Sequence, residues 1–199
     1  MNQKRLIVGM SGASGAPYAL VLLEECLRQG HEVHLVVTEA AWRVLKEEHG
    51  WDVSRREKQF EERFGHLPGR LVWHPLRDIG ASIASGSFRT DGMVIIPCSM
   101  GTLAKVAAGL STNLLERTAD VMLKERRPLV IVPRETPLSQ IHLENMLKLA
   151  RCGATIVPAM PAFYHRPRSV DDMVRFVAGK VLDLLSVDHA LYRRWEGGQ

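Results

Sequence analysis

Short runs of consecutive hydrophobic residues alternate along the chain with longer segments in which hydrophobic residues recur every three to four positions. Uninterrupted runs rich in Val, Ile and Leu indicate strands buried on both faces, and they occupy 5–10, 33–37, 93–97, 129–132 and 154–157. Helical spacing between and after these runs predicts helices over 16–29, 39–49, from about 102, 113–124, 139–150 and 169–185. The chain therefore alternates strand and helix through most of its length.

This alternation predicts a single α/β domain, with a Rossmann- or flavodoxin-like parallel sheet that carries helices on both faces. A length of 199 residues fits one such domain, and no second full domain is expected. The polar segment 50–75 shows no strong core strand, so we expect a peripheral excursion there and a C-terminal tail over 186–199. Because ligands gather beyond the carboxyl ends of parallel strands, one edge of the sheet should be lined by the loops that begin at Met10, Thr38, Pro97, Pro133 and Pro158.

Composition and charge argue against several classes of function. The formal charge is +4, but the basic residues are dispersed and form no recognised nucleic-acid module, so no nucleic-acid partner is expected. The chain has no apolar run of transmembrane length and no signal-peptide pattern, which predicts a soluble cytoplasmic protein without a membrane partner. Neither a CxxC pair nor an HExxH motif occurs, so no metal site is expected.

Two loops rich in small residues follow predicted strands and open predicted helices. The first, Ser11-Gly-Ala-Ser-Gly15, can direct backbone amides and hydroxyls at an anion near the positive end of a helix dipole. The second, Pro97-Cys-Ser-Met-Gly-Thr102, repeats the arrangement, and two neighbouring loops of this kind suit a mononucleotide. The first loop is neither a Walker A loop nor a full GxGxxG motif, so a tight turn that only packs small residues is the alternative.

Several charged and aromatic residues are candidates for binding a phosphate. Arg117 and Lys124 lie about two helical turns apart and share one helix face, although a solvated row of salt bridges would show the same spacing. Arg134 and Glu135 directly follow a predicted strand and should stand at the ligand edge, unless they merely terminate the strand. Tyr164 can either offer its hydroxyl to a phosphate or fill the core.

In this order the segments closely resemble the UbiX-type flavin prenyltransferases over nearly the whole chain. The motifs are specific as a set, although most are not specific singly. They are SGASG at 11–15, SGSF at 85–88, PCSMGTL at 97–103, the run 116–137 that ends in LKERRPLVIVPRETP, HLENM at 142–146, PAFYHRP at 161–167 and RW at 194–195.

The resemblance implies a metal-independent enzyme that transfers a dimethylallyl group from dimethylallyl monophosphate to N5 and C6 of reduced FMN, giving a prenylated flavin for a partner decarboxylase. The family's FMN contacts fall on Gly12, Ala13, Ser14, Thr38, Ser99, Met100, Gly101, Thr102 and Arg134. Its prenyl-phosphate contacts fall on Tyr164 and Lys180, with Arg117 and Lys124 as further cations. Its acid/base residues fall on Glu48 and Glu135, with Ser14 as a relay.

The resemblance also implies a homo-oligomer, usually a dodecamer, whose sites form where subunits meet, so that Glu48, Tyr164 or Lys180 could serve a neighbouring subunit's flavin. The chain departs from some members at Ile79, where a tryptophan would shield the prenyl group, so the apolar lining is kept and the cation–π contact is lost. The Asp171-Asp172 pair does not continue into the DDxxD motif of metal-dependent diphosphate enzymes, and cationic side chains must replace the metal.

Three other functions are alternatives to this interpretation. An FMN-dependent cysteine decarboxylase would carry Pro-Ala-Ser-Ala-Asn-Thr where this chain has Pro-Cys-Ser-Met-Gly-Thr. Direct decarboxylation of an aromatic acid would need a carboxylate pocket separate from the phosphate cations. A non-catalytic flavin carrier would bind FMN without consuming the prenyl donor.

Overall fold

The computed structural model describes residues 3–195, and its centre is a six-stranded parallel sheet. The strands are β1 (Arg5–Met10), β2 (Glu32–Val37), β3 (Arg70–His74), β4 (Gly92–Cys98), β5 (Leu129–Pro133) and β6 (Thr155–Ile156). Their order across the sheet is β3-β2-β1-β4-β5-β6, and every neighbouring pair is parallel. The parallel α/β sheet expected from the hydrophobic runs is confirmed.

Helices cover both faces of this sheet, as the sequence predicts. They are α1 (Ala16–Arg28), α2 (Glu39–His49), α3 (Arg56–Phe64), α4 (Met100–Ala107), α5 (Leu114–Lys124), α6 (Gln140–Arg151) and α7 (Val170–Leu184). Successive residues of β1 point to opposite faces, with Leu6 and Val8 in one hydrophobic core and Ile7 in the other. Residues of α1, α2, α3 and α7 pack in the first core, and residues of α4, α5 and α6 pack in the second.

The segment 50–75 contains β3, an edge strand of the main sheet that the polar pattern of this segment did not predict. β3 pairs in parallel with β2 and forms the edge of the sheet, with Val33 opposite Leu71 and Leu35 opposite Trp73. Edge strands are only partly covered, and Leu71 and Trp73 are half-buried. A short, partly exposed strand inside a charged segment has little of the continuous apolar pattern by which the central strands are recognised.

The order of the strands reverses between β1 and β4. From β1 the chain builds outward through β2 to β3, and it then crosses to the other side of β1 and builds through β4 and β5 to β6. The loops that leave β1 and β4 therefore diverge to opposite faces and open a crevice at the carboxyl ends of the strands, where such folds bind ligands. Within residues 3–195, no helix has the length and apolar character that crossing a membrane requires.

Candidate functional site

The loops after β1 and β4 are joined by the side chain of Ser11. Its hydroxyl oxygen accepts a hydrogen bond from the backbone amide of Ser99 at 2.7 Å and donates to the carbonyl of Pro97 at 3.2 Å. The backbone amide of Ser11 also donates to the Pro97 carbonyl, at 3.1 Å. Ser11 is 1% exposed, so these bonds form away from water and fix the two loops as one unit.

The loop after β4 begins α4 and leaves an open surface there. Ser99 caps the helix, its hydroxyl oxygen accepting from the Thr102 amide at 3.3 Å and donating to the Thr102 hydroxyl at 3.1 Å. A Cβ atom added at the exposed Gly101 would meet no heavy atom within 4 Å, so a flat ligand can approach the backbone there. Burial raises the pKa of Cys98 to about 12, which keeps this thiol protonated and makes it part of the packing.

The loop after β1 lies against the start of α2. A Cβ atom at Gly12 would stand 2.3 Å from the Cβ of Ala40, so only glycine permits this approach. Gly15 has a φ of 117°, which an L side chain rarely adopts. Thr38 caps α2, its hydroxyl oxygen accepting from the Ala41 amide at 3.1 Å. The same edge of the sheet thus carries the predicted FMN contacts Gly12, Ala13, Ser14, Thr38, Ser99, Met100, Gly101 and Thr102.

An anion already occupies the positive end of α1, and it is the carboxylate of Glu48. Its oxygens accept from the Gly15 amide at 3.0 and 3.2 Å and from the Ala16 amide at 2.9 Å. The amides at this helix start, which the sequence suggested for a ligand phosphate, therefore hold a side chain from α2. Nothing in the local sequence marks this contact, because Glu48 lies a whole strand and helix further along the chain.

Arg134, in the loop after β5, connects that loop to the other two. Its Nε donates to the carbonyl of Ser14 at 3.1 Å, and its backbone amide donates to the carbonyl of Cys98 at 3.2 Å. Glu135 follows as an exposed carboxylate that accepts from the Thr136 amide at 3.1 Å. The guanidinium and the carboxylate therefore both reach the edge of the sheet, as expected from their place after a strand.

Tyr18 is a residue of this edge that the sequence did not single out. Partial burial raises the pKa of its hydroxyl, the positive charge of Arg134 opposes the rise, and the charge of Glu48 adds to it. Its ring stands 2.8 Å from the position that a Cβ atom of Gly15 would take. The residue lies in the first turn of α1, and its position in the sequence gives no sign of ligand contact.

Arg117 and Lys124 lie on α5, which packs against the second core. Arg117 donates from Nε to the carbonyl of Ala84 at 3.2 Å and pairs with Asp120 at 2.8 Å. Lys124 pairs with Glu125 at the end of the helix. That end leads directly to the first residue of β5, so Lys124 stands near the amino end of the sheet, opposite the loops described above.

Tyr164 and Lys180 lie on the other face of the sheet, with the first core. The ring of Tyr164 makes edge-to-face contacts with Phe176 of α7 at 5.7 Å and with Trp195 at 5.9 Å between centroids. Lys180 is an exposed residue of α7, the helix that packs against α1. Within one chain, then, the four predicted phosphate contacts form two separate groups, and the sheet stands between them.

The similarity of the chain to known proteins covers almost all of its length. The family model described as Flavoprotein matches residues 1–182. The flavin prenyltransferase UbiX of Alkalihalophilus pseudofirmus is 61% identical over 193 residues, which span 97% of this chain and 96% of that protein.

Two solved structures are similar to this chain in fold as well as in sequence. AnUbiX (PadA1), solved in complex with FMN and dimethylallyl pyrophosphate, is 41% identical and superposes with a TM-score of 0.90 over 100% of both chains. A dodecameric FMN-dependent Ubix-like decarboxylase from Escherichia coli O157:H7 is 47% identical, with a TM-score of 0.87 over 97% of this chain and 100% of that chain. The chain therefore belongs to the Flavoprotein family and, within it, to the UbiX-type flavin prenyltransferases.

Proposed function

We propose that the chain transfers a dimethylallyl group from dimethylallyl monophosphate to N5 and C6 of reduced FMN, without a metal ion, and that a partner decarboxylase uses the product. The observation that carries the proposal is the unit formed by the loops after β1 and β4, which Ser11 joins at the point where the strand order reverses. This unit lies beside the open surface at Gly101, where a planar ring can rest on the backbone.

The residues at this edge fit a flavin mononucleotide. Gly12, Ala13 and Gly101 present little side chain, so a ring system can lie close to the main chain. The hydroxyls of Thr38 and Ser99 and the guanidinium of Arg134 supply the polar groups that a ribityl phosphate needs. Arg134 is the charged member of this set, and its hydrogen bond to the Ser14 carbonyl fixes it against the first loop.

The prenyl phosphate requires more than one copy of the chain. Arg117 and Lys124 stand on one face of the sheet, whereas Tyr164 and Lys180 stand on the other. A single phosphate can contact both groups only if they come from different subunits. Large apolar side chains on the surface support such an assembly, and they include Ile141 at 67%, Met160 at 65% and Phe163 at 70% exposure. We propose a dodecamer.

The proposed reaction breaks the allylic carbon–oxygen bond of the donor, releases phosphate and joins the allylic carbon to flavin N5, which gives up its proton. Ring closure then joins C6 to the far alkene carbon, while the neighbouring alkene carbon takes up a proton and C6 loses its own. Arg117, Lys124 and Lys180 would neutralise the charge that develops on the departing phosphate. Glu135, an exposed carboxylate at the same edge as Ser14, would take the proton that C6 releases. Glu48 would balance positive charge from its position on the amides of α1.

Mass spectrometry of the flavin tests this proposal. The protein is incubated anaerobically with reduced FMN, dimethylallyl monophosphate and a chelator, and the flavin should gain C5H8. Glu135→Gln should retain FMN and slow the gain, whereas Glu144→Gln, which alters an exposed carboxylate of α6, should behave like the unmodified protein. An unchanged flavin mass would reject the transfer and leave a flavin carrier as the explanation.

A further inference from the structure

The last helix ends in a carboxylate that binds the chain as it returns. Asp183 is the next-to-last residue of α7, and the chain reverses just after it at Ser186, whose φ is 52°. Residues 187–195 form what we call the C-terminal segment. The hydroxyl of Tyr192 donates to Asp183 at 2.6 Å, and the guanidinium of Arg194 donates to it at 2.6 and 3.3 Å.

A third donor to Asp183 is a fully buried histidine. The side chain of His189 is 0% exposed, and its Nδ1 accepts from the Leu191 amide at 3.2 Å. The proton must therefore lie on Nε2, which stands 3.1 Å from the Asp183 carboxylate and donates to it. Asp183 is thus hydrogen-bonded to three side chains of the C-terminal segment.

The charge on Asp183 persists across the neutral range. Partial burial alone would raise its pKa, but the hydrogen bonds from Arg194 and Tyr192 and the positive charge of Arg194 lower it to about 2. Burial and the bond to Asp183 raise the pKa of Tyr192 to about 12, so this hydroxyl keeps its proton and remains a donor. The contact is therefore a charge-assisted one, which is stronger than a neutral hydrogen bond.

A glycine in α7 makes room for the segment. A Cβ atom at Gly179 would stand 2.6 Å from ring atoms of Tyr192 and 2.7 Å from the ring of His189. Glycine in the middle of a helix costs up to about 1 kcal/mol relative to alanine, so a close approach of another part of the chain is the physical reason for it here. The next residue is Lys180, one of the predicted phosphate contacts.

The C-terminal segment also touches Tyr164. The ring of Tyr192 packs on Phe176 at 5.0 Å between centroids, and Tyr164 packs edge-to-face on the same Phe176. Trp195, which directly follows Arg194, makes the second edge-to-face contact with Tyr164, at 5.9 Å. Arg194, which Asp183 binds, thus directly precedes Trp195, which flanks Tyr164.

We propose that Asp183 is a positioning residue for the prenyl phosphate. By binding the C-terminal segment to α7, it keeps Trp195 against Tyr164 and holds the tyrosine and Lys180 in one arrangement. Asp183 does not touch the substrate and acts through these neighbours. The inference rests on the proposed function, because it takes Tyr164 and Lys180 as phosphate contacts.

The test is the steady-state kinetics of Asp183→Asn, which removes the charge and keeps the shape. The KM for dimethylallyl monophosphate should rise about tenfold or more, with a smaller change in kcat and an FMN dissociation constant within about twofold of the unmodified protein. Asp183→Glu should restore part of the loss. Asp188→Asn, which alters an exposed carboxylate of the same segment, is the matched control and should leave all three quantities unchanged.

Gly179→Ala provides a second variant with no change in charge. Its Cβ displaces Tyr192 and His189, so the KM for the donor should rise as in Asp183→Asn while FMN still binds. If Asp183→Asn does not fold, Gly179→Ala still tests whether the C-terminal segment positions the phosphate contacts. A KM within about twofold of the unmodified value in a folded, FMN-binding variant overturns the inference, as does an equal loss of FMN affinity. Absence of prenyl transfer by the unmodified protein would instead overturn the proposed function.

Discussion

The flavin side and the phosphate side of the proposed site are built in different ways. On the flavin side, the loops after β1, β4 and β5 meet at one edge of the sheet and are joined by hydrogen bonds of Ser11 and Arg134. On the phosphate side, the cations stand on α5 and α7, which cover opposite faces. One chain can assemble the first region from its topology, but it cannot assemble the second without a neighbour.

This difference has a physical origin in the parallel sheet. All strands run the same way, so their carboxyl ends come together at one edge whatever the order of the connections. Helices must lie on the faces, and the sheet separates those on one face from those on the other. Backbone and small residues can therefore build a flavin platform locally, whereas long cationic side chains on the outer helix faces are available to another subunit.

The largest expected effect comes from removing a cation of the phosphate side. Lys124→Gln should lower kcat for prenyl transfer about 100- to 1,000-fold, because the developing phosphate charge loses a partner. FMN affinity should stay unchanged, since Lys124 is a predicted phosphate contact and not one of the predicted FMN contacts. Stopped-flow absorbance of the flavin and equilibrium titration with FMN measure the two quantities.

Lys58→Gln is the control, because it removes an exposed lysine of α3 that has no place in the proposed site. A loss of FMN affinity in Lys124→Gln would contradict the separation of the two regions.

Two glycine substitutions distinguish packing from ligand contact on the flavin side. Gly12→Ala should lower the free energy of unfolding by about 1–3 kcal/mol, because its Cβ would overlap Ala40. Gly101→Ala should leave the free energy of unfolding nearly unchanged, because its Cβ meets no protein atom within 4 Å. Both should weaken FMN binding.

Urea unfolding without ligand measures the effect of each substitution on stability, and FMN titration measures its effect on binding. Normal FMN affinity in Gly101→Ala would show that the flavin does not rest on the start of α4.

A smaller effect is expected when the link between the loops is cut. Ser11→Ala leaves the buried amide of Ser99 without its acceptor, which should cost about 1–3 kcal/mol in unfolding free energy and weaken FMN binding. Ser54→Ala, which alters an exposed serine outside the proposed site, is the matched control and should show neither change. A Ser11→Ala protein with wild-type affinity for FMN would mean that the loops do not act as a unit.

The smallest effect concerns a histidine pair outside both regions. His34 Nδ1 and His74 Nε2 lie 2.8 Å apart on β2 and β3, and burial lowers the pKa of each ring below its ordinary value of 6.5. The folded state disfavours protonation of these rings. Their contribution to the free energy of unfolding is therefore fully present above the ordinary pKa, and it is lost as the pH falls through the lowered pKa of the folded protein. Unfolding free energy should therefore decrease from pH 7.5 toward pH 5, and less so in His74→Gln.

His66→Gln, which replaces an exposed histidine, should keep the full pH dependence of the unmodified protein. If the unfolding free energy of His74→Gln depended on pH as strongly as that of the unmodified protein, the histidine pair would not be the cause. The flavin-binding affinity should not follow the same pH curve, since neither histidine is one of the predicted FMN contacts.

The sequence predicts the elements that have a strong local pattern of hydrophobic residues. It does not predict features that depend on contacts between residues far apart in the chain. The buried central strands and the helices that follow them are confirmed because their hydrophobic periodicity is strong. β3 was missed because an edge strand is only half covered. The contact of Glu48 with the start of α1 was missed because it joins residues about thirty positions apart and carries no local signature. The same limit explains why the sequence did not single out Tyr18.

For the cations, helical spacing correctly places Arg117 and Lys124 on one helix, but spacing does not show what that helix faces. The Arg117–Asp120 pair fits the alternative of a salt-bridge row as well as a role in a neighbouring subunit's site. The face of the sheet on which α5 lies, which only the fold reveals, is what separates these cations from Tyr164.

Complementation between two impaired variants tests most directly whether the site is shared. Lys124→Gln removes a cation from the phosphate side, and Glu135→Gln removes the carboxylate at the flavin edge. Differently tagged copies of the two are co-expressed and purified by both tags, and native mass spectrometry verifies that mixed assemblies have formed. If each site combines the two residues from different subunits, mixed assemblies with equal shares should recover about a quarter of the wild-type prenyl-transfer rate. Mixed assemblies as slow as either variant alone would show that one chain supplies both residues and would contradict the account.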